Sequence, residues 1–408
     1  MPAQKPERRL PKPAELRELL RTRPIERDPV ARRLSRAHTI GDLRAIARRR
    51  TPRAVFDYTD GGAEGEVTLR QATEAFGRVE FAPRILRDVS LTDTSTSILG
   101  QPSALPMAFA PTGFTRMMQH EGEAAVVRVA ERIGVPAALS TLGTTSIEDF
   151  ATAAPKARHW FQLYVWSDHA ASQELVERAD AAGYEALILT VDVPVAGARL
   201  RDARNGLTVP PALALKTFLD GALHPSWWIN FLTTEPLEFA SFRSWKGTVA
   251  ELLNHVLDPA LDFDDLAWLR GLWRRPLIVK GIQSVEDARA VVDLGADAIV
   301  VSNHGGRQLD RAPVTLEQLP AIVDAVGDRA EVYLDGGVRN GADIVAAVAF
   351  GARAVMVGRA FLYGLMAGGE RGVQRAADIL AIEAKRTMQL LGVTTVAELG
   401  RQHVHLRP

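Results

Sequence analysis

The chain has 408 residues, 47% of them hydrophobic, enough to bury a large core in one barrel-sized domain with embellishments or in two smaller ones. Lysine plus arginine and aspartate plus glutamate both number 49, so no net field favours nucleic acid or an anionic membrane, and local charge has to decide. The absence of cysteine removes disulfides, thiolate metal sites and thiol nucleophiles and fits a reducing compartment; no metal site is expected.

Residues 1–37 read as a basic arm rich in Arg, Lys and Pro, in which PKPAEL (Pro11 to Leu16) breaks any long helix. Acidic residues interspersed in it favour a solvated tail or a wrap over the domain against a lipid anchor. The arm lacks the apolar core of a secretory signal, and no stretch reaches the run of about 18 apolar residues that spans a bilayer, so the protein is expected to be cytoplasmic. Residues 38–408 read as one domain. They open with TIGDLRAIARRR, a Thr-capped helix with apolar spacing at Ile40, Leu43 and Ile46, followed by FDYTDGGAEGEVTLR (Phe56 to Arg70).

After Val79, short apolar runs each end in polar residues and are each followed by a helical segment. The eight runs are PMAFAPTG from Pro106, PAALSTLG from Pro136, HWFQLYVW from His159, ALILTVDVP from Ala186, PLIVKGI from Pro276, AIVVSNHGG from Ala298, EVYLDGGV from Glu331 and AVMVGRAF from Ala354. Between them, segments such as HEGEAAVVRVAERIG and SVEDARAVVDLG are amphipathic and close on Gly. Eight βα units predict an α/β fold, a (β/α)8 TIM barrel with an N-terminal helical extension. The alternative, a doubly wound open sheet, lacks the GxGxxG turn of a dinucleotide-binding fold. The interval from Ala196 to Arg275, between strands four and five, is too long for a loop and one helix and predicts an excursion on the active face. Within it, GALHPSWWINFL (Gly221 to Leu232) crowds aromatic residues that suit a lid over the barrel or a patch at a membrane interface.

In such a barrel the catalytic groups stand at the C-terminal ends of strands. Ser140, Thr141, Gln162, Tyr164, Thr190, Asp192, Lys280, His304, Arg307, Asp335 and Arg359 all fall there, enough to line a cavity for a large polar ligand. DGGVRNG (Asp335 to Gly341) and GRAF (Gly358 to Phe361) look like a phosphate cradle, or simply tight turns. Buried, Lys280 needs an acceptor, such as an electron-rich ring edge. In SNHGGRQLD (Ser302 to Asp310) a base, His304, and a permanent cation, Arg307, share one glycine-permitted turn.

The strings FDYTDGGAE, APTG, FQLY, LTVDVPVAGARLRDARNG, VKGI, SNHGGRQLD, DGGVRNG and GRAF resemble the FMN-dependent α-hydroxy acid dehydrogenase and oxidase family, most closely its bacterial quinone-linked L-lactate dehydrogenases, from about Thr39 onward. The resemblance implies FMN as cofactor, contacted by Ala110, Pro111, Thr112, Ser140, Gln162, Thr190, Lys280 and Ser302. Its phosphate would be held by Asp335, Gly336, Gly337, Val338, Arg339, Gly358 and Arg359. Tyr58, Tyr164, Arg199, His304 and Arg307 would bind a small 2-hydroxy carboxylate, with His304, Asp192 and Tyr164 catalytic. Arginine forks suit the carboxylate, and Asp192 could steady the imidazolium formed on His304. The electrons end on the flavin, either as hydride from C2 or after C2 is deprotonated.

The implied reaction is L-lactate to pyruvate with electrons passed to a quinone, and the implied partners are that acceptor, possible peripheral contact with the inner face of the membrane, and copies of the chain in a homo-oligomer, a tetramer by the same resemblance. In similar oxidases APTG often ends in Ala, and a Trp often stands where STLG places Leu142. Gly113 therefore suits a dehydrogenase, although lactate monooxygenases also carry Gly. The short arm is not expected to supply the cytochrome module of the yeast relatives. The rivals are an oxygen-dependent oxidase or monooxygenase, a flavin or sugar-phosphate barrel isomerase, and a phosphate-binding barrel without redox chemistry.

Overall fold

A computed structural model describes residues 9–19, 26–206, 223–235, 237, 240 and 256–408. Its centre is a closed ring of eight parallel strands: β1 (Met107–Phe109), β2 (Ala137–Ser140), β3 (His159–Leu163), β4 (Ala186–Thr190), β5 (Leu277–Ile282), β6 (Ala298–Val301), β7 (Glu331–Leu334) and β8 (Ala354–Val357). Ring closure sets Val355 of β8 beside Met107 of β1. All eight expected strands are present and the barrel is borne out. The strands are short and almost wholly buried because the lumen takes one face and the surrounding helices take the other.

Ala108, Ala138, Trp160, Ile188, Ile278, Val300, Tyr333 and Met356 fill the lumen, and the rings of Trp160 and Tyr333 stack at 6.0 Å. Alternate residues such as Phe109, Leu139, Phe161, Leu189, Val279 and Ile299 pack in the layer shared with the helices. A hairpin, Thr96–Ile98 with Gln101–Ser103, contributes the fully buried Ile98 to the lumen cluster. The same hairpin is pinned by Leu99 N, which donates to the Glu331 carboxylate at the start of β7. A packed lumen leaves the C-terminal strand ends as the place for chemistry.

The N-terminal extension is helical. Thr39 and Asp42 form a capping box on Ile40–Arg50, whose Ile40, Leu43 and Ile46 are buried against the helix Arg359–Gly368 that follows β8. The helix Arg53–Asp60 then carries Tyr58 toward the barrel mouth. Within the arm, Pro13 begins a short helix, Pro13–Leu19, consistent with proline's tolerance in a first turn. Asp28 caps Pro29–Leu34, Leu34 is buried, and Arg33 Nε donates to Ala367 O, so this last part of the arm wraps the domain. Residues 1–8 and 20–25 lie outside the described residues.

The excursion is shorter than Ala196 to Arg275. Its last segment, Phe263–Leu272, is capped by Asp262 and buries Leu266 and Leu269 as the ordinary helix of the fourth unit. Before it come Leu200–Asn205 and the aromatic helix Pro225–Thr233. Gly221 and Ala222, at the start of the aromatic stretch, lie outside the described residues. The tryptophans do not form its outer face. Trp227 Nε1 donates to Met117 O at 2.9 Å and its ring packs on the core, with Trp228 half-buried beside it. Among the described residues of the aromatic stretch, Leu223, Ile229 and Leu232 are the exposed large apolar groups. Among the described residues no helix is long and apolar enough to cross a membrane.

Candidate active site

The loop after β6 is built to present His304. Asn303 accepts from Gly306 N and donates to Pro313 O, closing the turn, and His304 itself sits at φ +55°, a left-handed conformation uncommon for a residue with a Cβ. Its Nδ1 lies 2.9 Å from Asp192 Oδ1 beyond β4. Gly281 makes that approach possible: it forms an irregularity in β5 at φ +117°, where a Cβ would come within 2.8 Å of Asp192 Cβ. Burial, aided by the positive charges of Lys280 and Arg199, pushes the imidazole below its ordinary range against the pull of Asp192. Burial pushes Asp192 up, but His304 and Lys280 outweigh it and hold the carboxyl below the usual carboxylate range. The result is a neutral histidine oriented by an ionised aspartate.

Facing His304 across one cavity are Tyr58, Tyr164, Arg199 and Arg307. Arg307 Nη1 donates to Tyr58 O at 2.6 Å, and its guanidinium lies 4.9 Å from the Tyr58 ring centre; Arg199 lies 5.9 Å from the same ring. Burial and the neighbouring Arg199 push Arg307 down to about 9, which still leaves it cationic at neutral pH. Burial, reinforced by the charge of Asp192, pushes the Tyr164 hydroxyl well up, so it keeps its proton. Two cations, two phenols and a neutral imidazole therefore converge where, among the described residues, Asp335 is the one carboxylate that lines the wall.

The other end of the cavity is lined by Ala110, Pro111, Thr112, Ser140, Lys280, Asp335, Gly336, Gly337, Val338, Arg339, Gly358 and Arg359. Lys280 is satisfied within the protein: Nζ lies 2.9 Å from Asp335 Oδ2 and donates to Ser302 Oγ at 2.8 Å. The Asp335 carboxylate is thus turned to Lys280, and the anion-binding features beside it are the backbone of the next residues and Arg339. Gly337 sits at φ +88°, and a Cβ there would come within 2.2 Å of Ala72 O. Gly337→Ala is expected to displace this loop and weaken FMN binding about fivefold to a hundredfold in a fluorescence titration, because left-handed strain costs about 1–3 kcal/mol. Unchanged affinity would free this loop from any role in the cradle.

Asp192, Gln162, Thr190 and Ser302 do not line the cavity; they stand behind residues that do. Ser302 Oγ accepts from Lys280 and from His304 N. Gln162 is paired in register with Ser140, and Thr190 with Lys280. Gln162 Nε2, Thr190 Oγ1 and Asp335 Oδ1 are buried without a partner among the described residues. Such orphans are costly unless a ligand meets them, and their mixture of donors and acceptors at adjacent strand ends fits the polar edge of a flavin ring.

The remaining polar residues of the signature are structural. Asp310 accepts from Gly65 N and Thr68 N, and Gln308 Nε2 donates to Val195 O. Asp60 accepts from Arg44, Arg201 and Tyr363; although burial pushes it up, these partners bring it down to about 2 and anchor the Tyr58 helix. Met118, Leu142, Met356 and Leu362 also line the cavity. Of these Leu142 stood out as a departure in STLG; the others are apolar residues with no local signal.

The sequence model of a family described as FMN-dependent dehydrogenase matches residues 47–406. A Mycobacterium tuberculosis protein named provisionally as an L-lactate dehydrogenase is 56% identical, over 97% of this chain and 96% of its own. L-lactate dehydrogenase of Caulobacter vibrioides is 43% identical over 88% of this chain and 95% of its own. Among solved structures, a monotopic membrane protein, (S)-mandelate dehydrogenase, superposes with TM-score 0.88 at 37% identity, covering 91% of this chain and all of that one. Mandelate oxidase superposes with TM-score 0.79 at 40% identity over 91% and 99%. With the barrel, the His304–Asp192 pair and the unmet polar groups of the cofactor end already in place, the chain belongs to the FMN-dependent dehydrogenase family and oxidises a 2-hydroxy acid with FMN as its cofactor.

Proposed function

We propose that the substrate is L-lactate, oxidised to pyruvate, and that the electrons leave to a quinone. The observation that carries the site assignment is the His304–Asp192 contact of 2.9 Å beside two arginines in one cavity. Arg307 and Arg199 bind the carboxylate, and Tyr58 and Tyr164 donate to it and to the C2 oxygen. With Nδ1–H committed to Asp192, His304 takes the substrate proton at Nε2, and Asp192 steadies the imidazolium. Bound FMN supplies the two-electron acceptor. Ser140 and Lys280 would hold its ring edge, with the unmet Gln162 Nε2 and Thr190 Oγ1 behind them and Ser302 positioning Lys280, while Ala110 to Thr112 line the cavity beside it. Gly336 to Arg339, Gly358 and Arg359 hold its phosphate.

The names of the two relatives above support lactate, and those of the two superposed structures make mandelate the competitor to test. That the mandelate dehydrogenase is a monotopic membrane protein supports membrane contact. In this chain the exposed Ile229 and Leu232 on the aromatic helix and Leu223 before it, with Val195 and Leu309 at the barrel mouth, are the surface suited to it. Anaerobic mixing with L-lactate, glycolate and mandelate, followed by bleaching of the flavin, tests the substrate; fastest bleaching by mandelate would overturn lactate. Reoxidation faster by air than by any quinone, with peroxide released, would overturn the acceptor. Arg307→Lys is expected to raise the lactate concentration needed for half-maximal reduction about 10-fold to 100-fold, since an ammonium cannot reproduce a guanidinium fork. An unchanged requirement removes Arg307 from carboxylate binding.

A further inference from the structure

A second cavity lies under the aromatic helix. Met118 is the described residue that lines both it and the active-site cavity, so the two are separated in part by one side chain. Its walls include Arg50, Arg116 and His120, and its roof includes the rings of Trp227 and Phe231, stacked 4.9 Å apart and 11° from parallel. The roof is tied down on three sides. Trp227 Nε1 donates to Met117 O at 2.9 Å, Arg50 Nη2 to Ser226 Oγ at 2.8 Å, and Arg116 Nη2 to Glu235 O at 2.7 Å. His120 Nδ1 is buried there without a hydrogen-bond partner among the described residues. None of these groups has a part in holding lactate or FMN.

We propose that this cavity seats the ring of the quinone that accepts the electrons, a proposal that rests on the quinone reading above. A planar conjugated ring with a carbonyl at each end matches aromatic faces flanked by hydrogen-bond donors. The competing occupant is an anionic headgroup. Against it, Glu121, which also lines the cavity, would repel an anion while leaving a neutral ring undisturbed. The balance closes without another reactant. Oxidation of the hydroxy acid releases two electrons and two protons, from C2 and its hydroxyl, and conversion of both quinone C=O groups to C–OH consumes two of each.

The test uses the FMN-loaded protein in stopped flow with a tailless benzoquinone, so that membrane binding plays no part. For Phe231→Ala and Arg50→Gln, reduction by L-lactate and reoxidation by ferricyanide are expected to stay within twofold of the native protein. Reoxidation by the benzoquinone is expected to slow about tenfold, the scale of losing one aromatic face in Phe231→Ala or one charged donor in Arg50→Gln. Phe231→Leu, which keeps most of the volume, is expected to give the same separation and replaces the alanine variant if that one loses FMN. Unchanged benzoquinone reoxidation in all variants, or an equal fall in all three rates, would overturn the site. So would saturable binding of inorganic phosphate that disappears in Arg50→Gln while benzoquinone reoxidation is unaffected, which would assign the cavity to an anion. Native protein that no quinone reoxidises is a different failure, of the acceptor itself.

Discussion

Replacing His304 with alanine is expected to leave FMN bound and to slow its reduction by L-lactate about 100-fold to 10,000-fold, the span of general-base losses. The side chain's hydrogen bond goes to Asp192, and the loop is held by other groups, Asn303 on Gly306 and Pro313 and the His304 backbone on Ser302. Truncation therefore removes the base without dismantling the turn. Because φ at this position is +55°, a glycine variant controls for strain: alanine and glycine should be equally slow. Anaerobic stopped-flow reduction at saturating lactate is the measurement. A rate above a tenth of native in either variant would place the base elsewhere.

Asp192→Asn is expected to cost a similar factor, about 100-fold or more, and to move the pH profile as well. In the native protein His304 is held below its ordinary range, so the reduction rate should be flat at neutral pH and fall as acid protonates the imidazole, at a pH below that of a free imidazole. Asp192 opposes that lowering. An amide in its place removes the opposition, so the acid limb should move to still lower pH even as the plateau drops for want of a counterion to the imidazolium. A fall in rate with an unmoved limb would mean that Asp192 is a packing residue. The shift in the limb is what a purely structural role would not produce.

The barrel was legible because each strand announces itself twice, by an apolar run and by the polar residue that ends it. His304, Arg307 and Lys280 could be assigned to one cavity for the same reason. What the sequence hid was direction. Asp335 and Lys280 read as two separate ligand contacts, yet they meet each other at 2.9 Å, because β5 and β7 flank β6 and both project to its mouth. Trp227 and Trp228 promised either a lid or a membrane face. The helix resolves this by turning Trp227 inward and Ile229 and Leu232 outward, a division that depends on which side of the helix meets Met117. Met118 carries no local mark at all, and its place between two cavities follows from tertiary packing.

Arg359 closes the molecule on itself. Its guanidinium donates to Thr59 O, Gly61 O and Gly305 O, binding the Tyr58 helix and the His304 loop to the start of the last helix of the barrel. Thr59 and Arg359 are 300 residues apart. During synthesis the Tyr58 segment must therefore wait about 15–60 s, at about 5–20 residues per second, before this last of its anchors exists. Through that interval the nascent chain can bury helix faces but cannot assemble the pocket for the hydroxy acid. A chain cut short of residue 359 is therefore expected to lack the clasp between the Tyr58 helix and the His304 loop.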